Sequence, residues 1–279
     1  MEIYKNKASE WFKNLRNKIC NCFEEIEKNY SGNMTTLQPG KFQRKIWERP
    51  GGGGGEISIM RGRVFEKVGV NYSKVYGKLS PQFQNKIPGA AKDPTFWASG
   101  ISIVAHMNSP HIPAAHMNTR FISTTENWFG GGIDLTPTFP EEKETSFFHN
   151  ELKKICNTYN AKSYEKYSKW CDDYFFLPHR KEPRGVGGIF FDQLNCGNWE
   201  KDFSFVKEVG KGFKNIFPKI INNKLNNTWT DEEKRKQLIK RGRYVEFNLI
   251  HDRGTKFGLE TDGNTEAILM SLPPHASWP

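Results

Sequence analysis

Residues 113–137 read PAAHMNTRFISTTENWFGGGIDLTP, and this stretch carries the pattern that decides the fold. Polar and apolar residues alternate from His116 to Ser123, and a second β-rich segment runs from Gly132 to Leu135. Because successive side chains of a strand point to opposite faces, the alternation predicts that one face of the first strand is polar. That face holds His116, Asn118 and Arg120, and the other face holds Met117, Thr119 and Phe121.

The rest of the chain supplies more segments of both kinds. Strand-like composition bounded by Gly or Pro recurs at residues 64–70, 100–106, 187–192, 244–251 and 267–272. Amphipathic helical patterns occupy residues 9–28, 145–159, 163–176 and 204–222, and Thr230 opens a capping box with Glu233. Since the strands cluster instead of alternating with helices, the pattern predicts an α+β fold with an antiparallel or mixed sheet flanked by helices, in one domain.

Five consecutive glycines run from Gly51 to Gly55, directly after Pro50. No GK[ST] follows it, so it does not match a phosphate-binding loop. We expect a permissive backbone loop there.

Composition bounds the class of protein. The chain has 279 residues, 36% hydrophobic and 14% aromatic, which is enough to build an enzyme-sized core. No apolar run is long enough to predict a membrane span. Five scattered cysteines without a CxxC pair favour a reducing compartment, and the start of the chain does not resemble a secretion signal, so we expect a cytoplasmic protein. The net charge of +10 suits an anionic partner: nucleic acid, phospholipid or a polycarboxylate.

The polar face at His116, Asn118 and Arg120 admits two interpretations. A sheet would not bury such a row without a ligand, which favours a binding site, whereas a solvent-facing strand would also explain it. Asp134 lies between Ile133 and Leu135, where ionisation is disfavoured unless the carboxylate is paired, a condition that suits proton transfer. A turn or a buried partner for an arginine would explain Asp134 equally well.

The histidines raise the question of a metal. His106, His116, His149 and His179 could supply four imidazoles, which zinc or copper prefers, yet their spacing matches no local metal signature. Arg180 and Arg184 suit the capture of carboxylates through paired hydrogen bonds. The segment from His251 to Gly254 is predicted to end a strand in a hairpin turn.

Several long strings in the same order carry a family resemblance. They are GRVFEKVGVNYSKVYG (62–77), PAAHMNTRF (113–121), WFGGGIDLTP (128–137), PHRKEPRGVGGIFFDQLN (178–195), YVEFNLIHDRGTKFGLET (244–261) and AILMSLPP (267–274). Over about residues 40–279 the chain resembles the oxygen-dependent coproporphyrinogen-III oxidases. We divide it into an N-terminal helical segment, residues 1–35, and a catalytic domain, residues 36–279.

The resemblance implies a large flat antiparallel sheet covered by helices on both faces, in a homodimer to which the region from about Tyr244 contributes. The implied reaction converts two propionates of a porphyrinogen to vinyl groups, with molecular oxygen as co-substrate and CO₂ and H₂O₂ as products. No haem, flavin or nicotinamide is implied, and a divalent metal is an open point for the family.

Carried over by position, His116 would be a proton donor and Asp134 would handle the pyrrole N–H. Substrate contacts would come from Ser102, Asn118, Thr119, Arg120, Gly263 and Asn264, and we add Arg184 because an arginine suits the capture of a carboxylate. Metal ligands, where present, would be His106, His116, His149 and His179. Many relatives have Gly-Gly-Arg where this chain has Asp262-Gly263-Asn264, so a carboxylate partner is lost, and Arg120, Arg184, Arg253 or Lys256 would have to compensate.

We expect the acid at 134 and the row at 116, 118 and 120 to converge on one apolar cavity that accepts a macrocycle. Two other functions stay open from the residues alone. One is a histidine-ligated metal-dependent oxygenase. The other is a basic nucleic-acid-binding protein, for which no recognised motif appears, so no nucleic-acid partner is predicted.

Overall fold

The computed structural model describes residues 1–32, 36–261 and 263–279. The strands are β1 (Gln43–Glu48), β2 (Gly53–Met60), β3 (Phe65–Lys78), β4 (Thr95–Met107), β5 (Ala114–Ser123), β6 (Asn127–Thr136), β7 (Phe176–Leu177), β8 (Glu182–Pro183) and β9 (Gly188–Leu194). The helices are α1 (Glu2–Asn29), α2 (Pro81–Gln84), α3 (Glu142–Asn157), α4 (Ser163–Tyr174), α5 (Trp199–Lys224), α6 (Asp231–Glu246), a π-helix (Phe247–His251), α7 (Arg253–Glu260) and α8 (Thr265–Leu269).

Seven of the strands form one antiparallel sheet in the order β1-β2-β3-β4-β5-β6-β9. The predicted α+β fold with an antiparallel sheet flanked by helices on both faces, in a single domain, is confirmed. Neighbours in sequence are mostly neighbours in the sheet, so short turns suffice to connect them.

One face of the sheet packs against α1, α3 and α5. In β5 the burial alternates, and the side chains at 117, 119 and 121 are fully buried. Phe121 contacts Trp97, Phe129 and Trp199, and Phe129 stacks on Phe203 of α5 with ring centroids 5.7 Å apart. The predicted division of β5 into a polar and an apolar face is therefore confirmed.

Helix α1 belongs to this same core. Phe12, Leu15, Ile19 and Phe23 are buried at helical spacing, and Phe23 lies against Phe65 of β3. Near its end, the buried Glu27 carboxylate accepts hydrogen bonds from four backbone N–H groups, those of residues 40, 63, 64 and 65. Glu27 thereby ties α1 to the start of β3. The proposed boundary at residue 35 stays a prediction, since residues 33–35 lie outside the described part of the chain.

The opposite face is covered in part by the C-terminal segment, where two predictions were wrong. Residues 244–251 and 267–272 were expected to be strands, but they form the end of α6 with the π-helix, and α8 with the residues after it. The buried positions Tyr244, Phe247 and Asn248 follow helical spacing, whereas a strand would have buried Leu249 with Phe247. The aromatic and branched residues of these segments favour strands locally, but packing against the sheet makes the segments helical.

Two smaller predictions were also wrong. The predicted loop at Gly51–Gly55 includes the start of β2, because the chain turns at Pro50–Gly52 and then pairs with β1. Gly52 and Gly53 have φ values of 115° and 79°, which glycine adopts without strain. The predicted hairpin turn at His251–Gly254 is the junction of the π-helix and α7, where Asp252 caps the N-terminus of α7.

The capping box of Thr230 and Glu233 is present at the start of α6, as predicted. All five cysteines are free, and burial raises the pKa of Cys20 and of Cys156 to about 12, as expected for structural thiols. Within the described residues, no helix is long and apolar enough to span a bilayer.

The four hydrogen bonds of Glu27 predict that even a conservative substitution at this position strongly destabilises the fold. In Glu27→Gln, an amide N–H₂ replaces one acceptor oxygen and faces backbone N–H donors, so we expect a loss of about 2–4 kcal/mol in the free energy of unfolding. Urea denaturation measures this loss. The exposed neighbour Glu25→Gln is the control, and equal stability of the two variants would contradict the role of Glu27.

Candidate active site

The register of β4, β5 and β6 brings the predicted polar residues onto one face. Asn118 pairs with Ser102 of β4 and Gly132 of β6, and His116 pairs with Asp134. Directly paired residues share a face, so Ser102, Asn118, His116 and Asp134 point to the same side, with Arg120 two residues further along β5. Three of the predicted substrate residues, Ser102, Asn118 and Arg120, are half-buried there.

These side chains form one continuous hydrogen-bond chain. Arg120 donates from Nη1 to Asn118 Oδ1 at 3.0 Å, and Asn118 Nδ2 donates to His116 Nε2 at 3.0 Å. His116 Nδ1 lies 2.6 Å from Asp134 Oδ1. Because Nε2 accepts from the amide, the proton of the neutral imidazole sits on Nδ1 and is donated to Asp134.

Asp134 and Arg184 form the buried end of this chain. The second carboxylate oxygen of Asp134 accepts from Arg184 Nη2, and the two residues are 3% and 2% exposed. The rings of Phe175, Tyr244 and Phe247 surround the Arg184 guanidinium, with centroids 4.0, 4.5 and 4.8 Å from Cζ. This aromatic cage holds a desolvated cation against a desolvated anion.

The pairing decides the charge of Asp134. Burial alone would raise the pKa of the Asp134 carboxyl, but the charge of Arg184 and the hydrogen bond from His116 outweigh burial, and the pKa lies below its usual value. Asp134 is therefore an ionised carboxylate with both oxygens bonded. The alternative in which Asp134 is the buried partner of an arginine is therefore observed, and the arginine is Arg184, while a role of Asp134 in proton transfer stays a prediction.

Two of the predicted substrate residues are placed elsewhere. The Thr119 side chain points to the opposite face and is fully buried in the helix-covered core, as its position in the alternation requires. Arg184 is enclosed by protein and already holds Asp134, so it reaches a ligand only through that carboxylate. Arg180 pairs with Glu246, whose pKa is lowered mainly by that hydrogen bond, so it is not a free carboxylate receptor either.

The C-terminal positions have local partners too. Asn264 caps α8 by accepting from the backbone N–H of Ala267, and the Gly263 N–H donates to the carbonyl of Gly258. The predicted effect of Asp262 falls on a residue outside the described part of the chain. Asn264 thus has a structural role that explains a short polar residue at this position.

The four predicted metal ligands are not brought together. His149 contacts the Tyr164 hydroxyl and the Val186 carbonyl, and His179 contacts His251 and Glu246. His106 donates from Nε2 to the Ser271 carbonyl, and burial lowers its pKa to about 3. Across residues 1–32, 36–261 and 263–279, no cluster of three or more His, Cys, Asp or Glu has metal-binding geometry. The contacts therefore do not fit a site made of these four imidazoles.

Among the residues that the structure describes, the row lies on a half-buried strip of sheet and lines neither of the cavities found. A cavity of about 20 Å³, lined by His106, Thr136 and Tyr244 among others, has room for a single water and lies beyond the row. At one side of the row, Phe257 of α7 packs in a cluster with Val75 and Ala98. The Arg184 cage closes the other side. We call the half-buried residues between them, Ser102, Asn118 and Arg120, the polar strip.

Sequence reasoning missed two parts of this site. The aromatic cage was missed because Phe247 was assigned to a strand, which hid its approach to Arg184. Asp192 of β9 was treated only as a strand residue, yet its Oδ1 lies 2.9 Å from Arg120 Nη2. A carboxylate within the apolar run GIFFDQL was the one available signal.

The candidate site thus consists of a half-buried serine, asparagine and arginine and of a histidine held by a buried aspartate, on one face of an antiparallel sheet. Comparison with known families is more specific. The family model described as coproporphyrinogen III oxidase matches residues 7–279. The chain belongs to this family.

Curated relatives agree along nearly the whole length. The oxygen-dependent coproporphyrinogen-III oxidase of Rickettsia bellii is 60% identical over 271 residues, covering 97% of each chain. The proteins of the same description from Rickettsia rickettsii and Rickettsia conorii are each 58% identical over 274 residues, covering 98% of each chain. The resemblance inferred from the motifs is confirmed, and it extends into α1.

The Asp134–Arg184 pair predicts a pH-dependent stability. Removing the cation in Arg184→Gln leaves a buried carboxylate, so we expect a loss of about 3–5 kcal/mol at pH 7. In the parent chain the pKa of Asp134 is lowered from 3.8, so the ionised carboxylate contributes stability at pH values above 3.8. This contribution is lost as the pH falls below that value. In the variant the pKa should rise, so the difference between the two proteins should shrink towards acid pH.

Denaturant unfolding between pH 4 and 8 measures this difference. The exposed Arg235→Gln on α6 is the control for the loss of one positive charge. A difference that stays constant with pH would show that Arg184 stabilises the fold without setting the ionisation of Asp134.

Proposed function

We propose that this chain catalyses the oxygen-dependent oxidative decarboxylation of two propionates of coproporphyrinogen III to vinyl groups, forming protoporphyrinogen IX in haem biosynthesis. Each propionate loses CO₂ and a hydride equivalent, and this hydride equivalent together with a proton from water reduces O₂ to H₂O₂. The observation that carries the proposal is the continuous hydrogen-bond chain from Arg120 to Asp134 on an accessible sheet face. The family membership and the names of the relatives agree with it.

The polar strip suits the binding of a flat substrate with several carboxylates. Gly100 and Gly132 share the face of the row and project no side chain, so a macrocycle can lie close to the backbone. Arg120, whose side chain is 31% exposed, is the cation placed to take the reacting propionate. The substrate is electron-rich, so once oriented it reacts with oxygen without an organic cofactor.

His116 and Asp134 form a proton-handling pair. Asp134 orients the imidazole through Nδ1–H and stabilises the imidazolium that forms when Nε2 takes up a proton. Nε2 takes this proton from a pyrrole N–H once the hydrogen bond from Asn118 Nδ2 has opened, and His116 returns it later, which agrees with its proposed role as donor. Because both oxygens of Asp134 are bonded, the carboxylate acts through His116 and contacts the pyrrole N–H only if one of these bonds opens.

Assembly and location are part of the proposal. Leu249 and Ile250 on the π-helix are 47% and 48% exposed, and Leu259 on α7 is 43% exposed. Such apolar residues on the segment after Tyr244 support a homodimer interface there. A cytoplasmic location stays a prediction. A metal-dependent oxygenase finds no support in the contacts of the four histidines.

The reaction can be tested directly. Purified protein mixed with coproporphyrinogen III under air should form protoporphyrinogen IX, with H₂O₂ and CO₂ in equal amounts. Under nitrogen no divinyl product should form. Absence of product under air, with folded protein and reduced substrate, would contradict the proposal.

Asp134→Ala should lower turnover far more than affinity. The variant loses the group that orients His116, so we expect kcat to fall by about 10²–10⁴-fold while KM changes little. Steady-state kinetics with far-ultraviolet circular dichroism checks this, since unfolding would mimic the loss. An equal loss of kcat and affinity would assign Asp134 to structure alone.

Arg120→Ala should instead weaken binding. Loss of the charge-assisted hydrogen bonds to a propionate should raise KM by about 10–100-fold. Arg235→Ala, an exposed arginine on α6, is the matched control. An unchanged KM would show that another cation anchors the substrate.

A further inference from the structure

An ion pair on the polar strip is not explained by substrate binding. Arg120 Nη2 lies 2.9 Å from Asp192 Oδ1, while Nη1 donates to Asn118 Oδ1 at 3.0 Å. Arg120 is on β5 and Asp192 on β9, and β6 runs between these two strands. The pair therefore reaches across a whole strand. It also places an anion beside the cation that receives the propionate.

Gly130 of β6 provides the space for this pair. A Cβ at Gly130 would lie 2.6 Å from Asp192 Oδ1 and 2.8 Å from Arg120 Cζ. Both are side-chain atoms, so a methyl group there would displace the ion pair and leave the sheet backbone in place. Gly130 does not have a positive φ, so glycine is needed here for space and not for backbone conformation.

A β-bulge in β9 places the carboxylate. Phe191 pairs with Gly131 and Leu194 with Phe129, so Asp192 and Gln193 together oppose the single residue Gly130. Gln193 has a φ of 50°, in the left-handed region that residues other than glycine seldom adopt. Such strain concentrates at functional sites, and a bulge redirects the side chains around it.

We propose that Asp192 is a positioning residue that holds the Arg120 guanidinium in the orientation in which it receives the reacting propionate; this rests on the proposed function. The guanidinium has five N–H donors, of which one is donated to Asn118, while Asp192 Oδ1 forms an ion pair at Nη2. The remaining donors are free to bind a carboxylate. Arg120 is thus fixed at both ends of its fork while its charge still attracts the substrate.

The test uses two variants that break the ion pair by different routes. Asp192→Asn removes the charge that holds Arg120, and Gly130→Ala pushes the two side chains apart. Both variants keep the Arg120 cation, which still attracts the propionate, so KM should stay within about threefold of the parent value. We expect kcat to fall by about 10–100-fold, because a misoriented guanidinium no longer holds the propionate in the reactive position. The control is Asp173→Asn, which removes one charge from an exposed pair with Lys169.

Three further measurements separate positioning from a general structural role. The double variant should be no slower than the worse single variant, because both changes break the same contact. The Arg120 Nε–Hε resonance should report an ordered side chain in the parent and a mobile one in both variants. Gln193→Gly, which relieves the strained backbone, should keep kcat and not lower the melting temperature.

Unchanged kcat in Asp192→Asn, or a fall in kcat that tracks a lowered melting temperature, would overturn the proposal. So would multiplicative losses in the double variant. The resonance measurement does not depend on turnover. If the parent chain fails to convert coproporphyrinogen III while both variants mobilise Arg120, the proposed function is wrong and the positioning of Arg120 by Asp192 is supported.

Discussion

The buried carboxylate of Asp134 sets the strongest constraint on this structure. An ionised acid with 3% exposure needs compensation, and two elements supply it from different directions. His116 comes from the neighbouring strand by register, and Arg184 comes from the segment after β8. The Arg184 guanidinium in turn makes cation–π contacts with Phe175, Tyr244 and Phe247, and these rings exclude water from it. The pairing of Asp134 with Arg184 is thus one of the contacts that hold the C-terminal segment against the sheet.

The same constraint explains why the two faces of the sheet differ. On the face that packs against α1 and α5, aromatic residues such as Phe121 and Phe129 form a dry core that keeps the strands in register. Register matters because a slip of one residue would turn His116 and Asn118 into that core. On the other face, covering elements leave an accessible strip. The rigid core therefore supports a polar surface whose side chains are fixed in place by one another.

Much of this arrangement could be read from the residues. The alternation in β5 predicted which of residues 116–121 share a face, and pairing with β4 and β6 then brings Ser102 and Asp134 beside them. Long motifs fixed the family. The C-terminal segment could not be predicted, because Tyr244 to His251 has strand-like composition and only tertiary contact with Arg184 and the sheet makes it helical. The contact of Asp192 with Arg120 had one weak signal, a carboxylate within an apolar run, because the β-bulge that places this carboxylate has no local pattern of its own.

The central claim is that the substrate lies on the polar strip with a propionate at Arg120 and a pyrrole N–H facing His116 and Asp134. A crystal structure of the protein with coproporphyrinogen III, prepared under nitrogen so that the reaction cannot proceed, tests this most directly. We predict a propionate carboxylate within hydrogen-bond distance of the Arg120 guanidinium and the macrocycle over Gly100 and Gly132. A macrocycle bound elsewhere, with the chain from Arg120 to Asp134 untouched, would contradict the account.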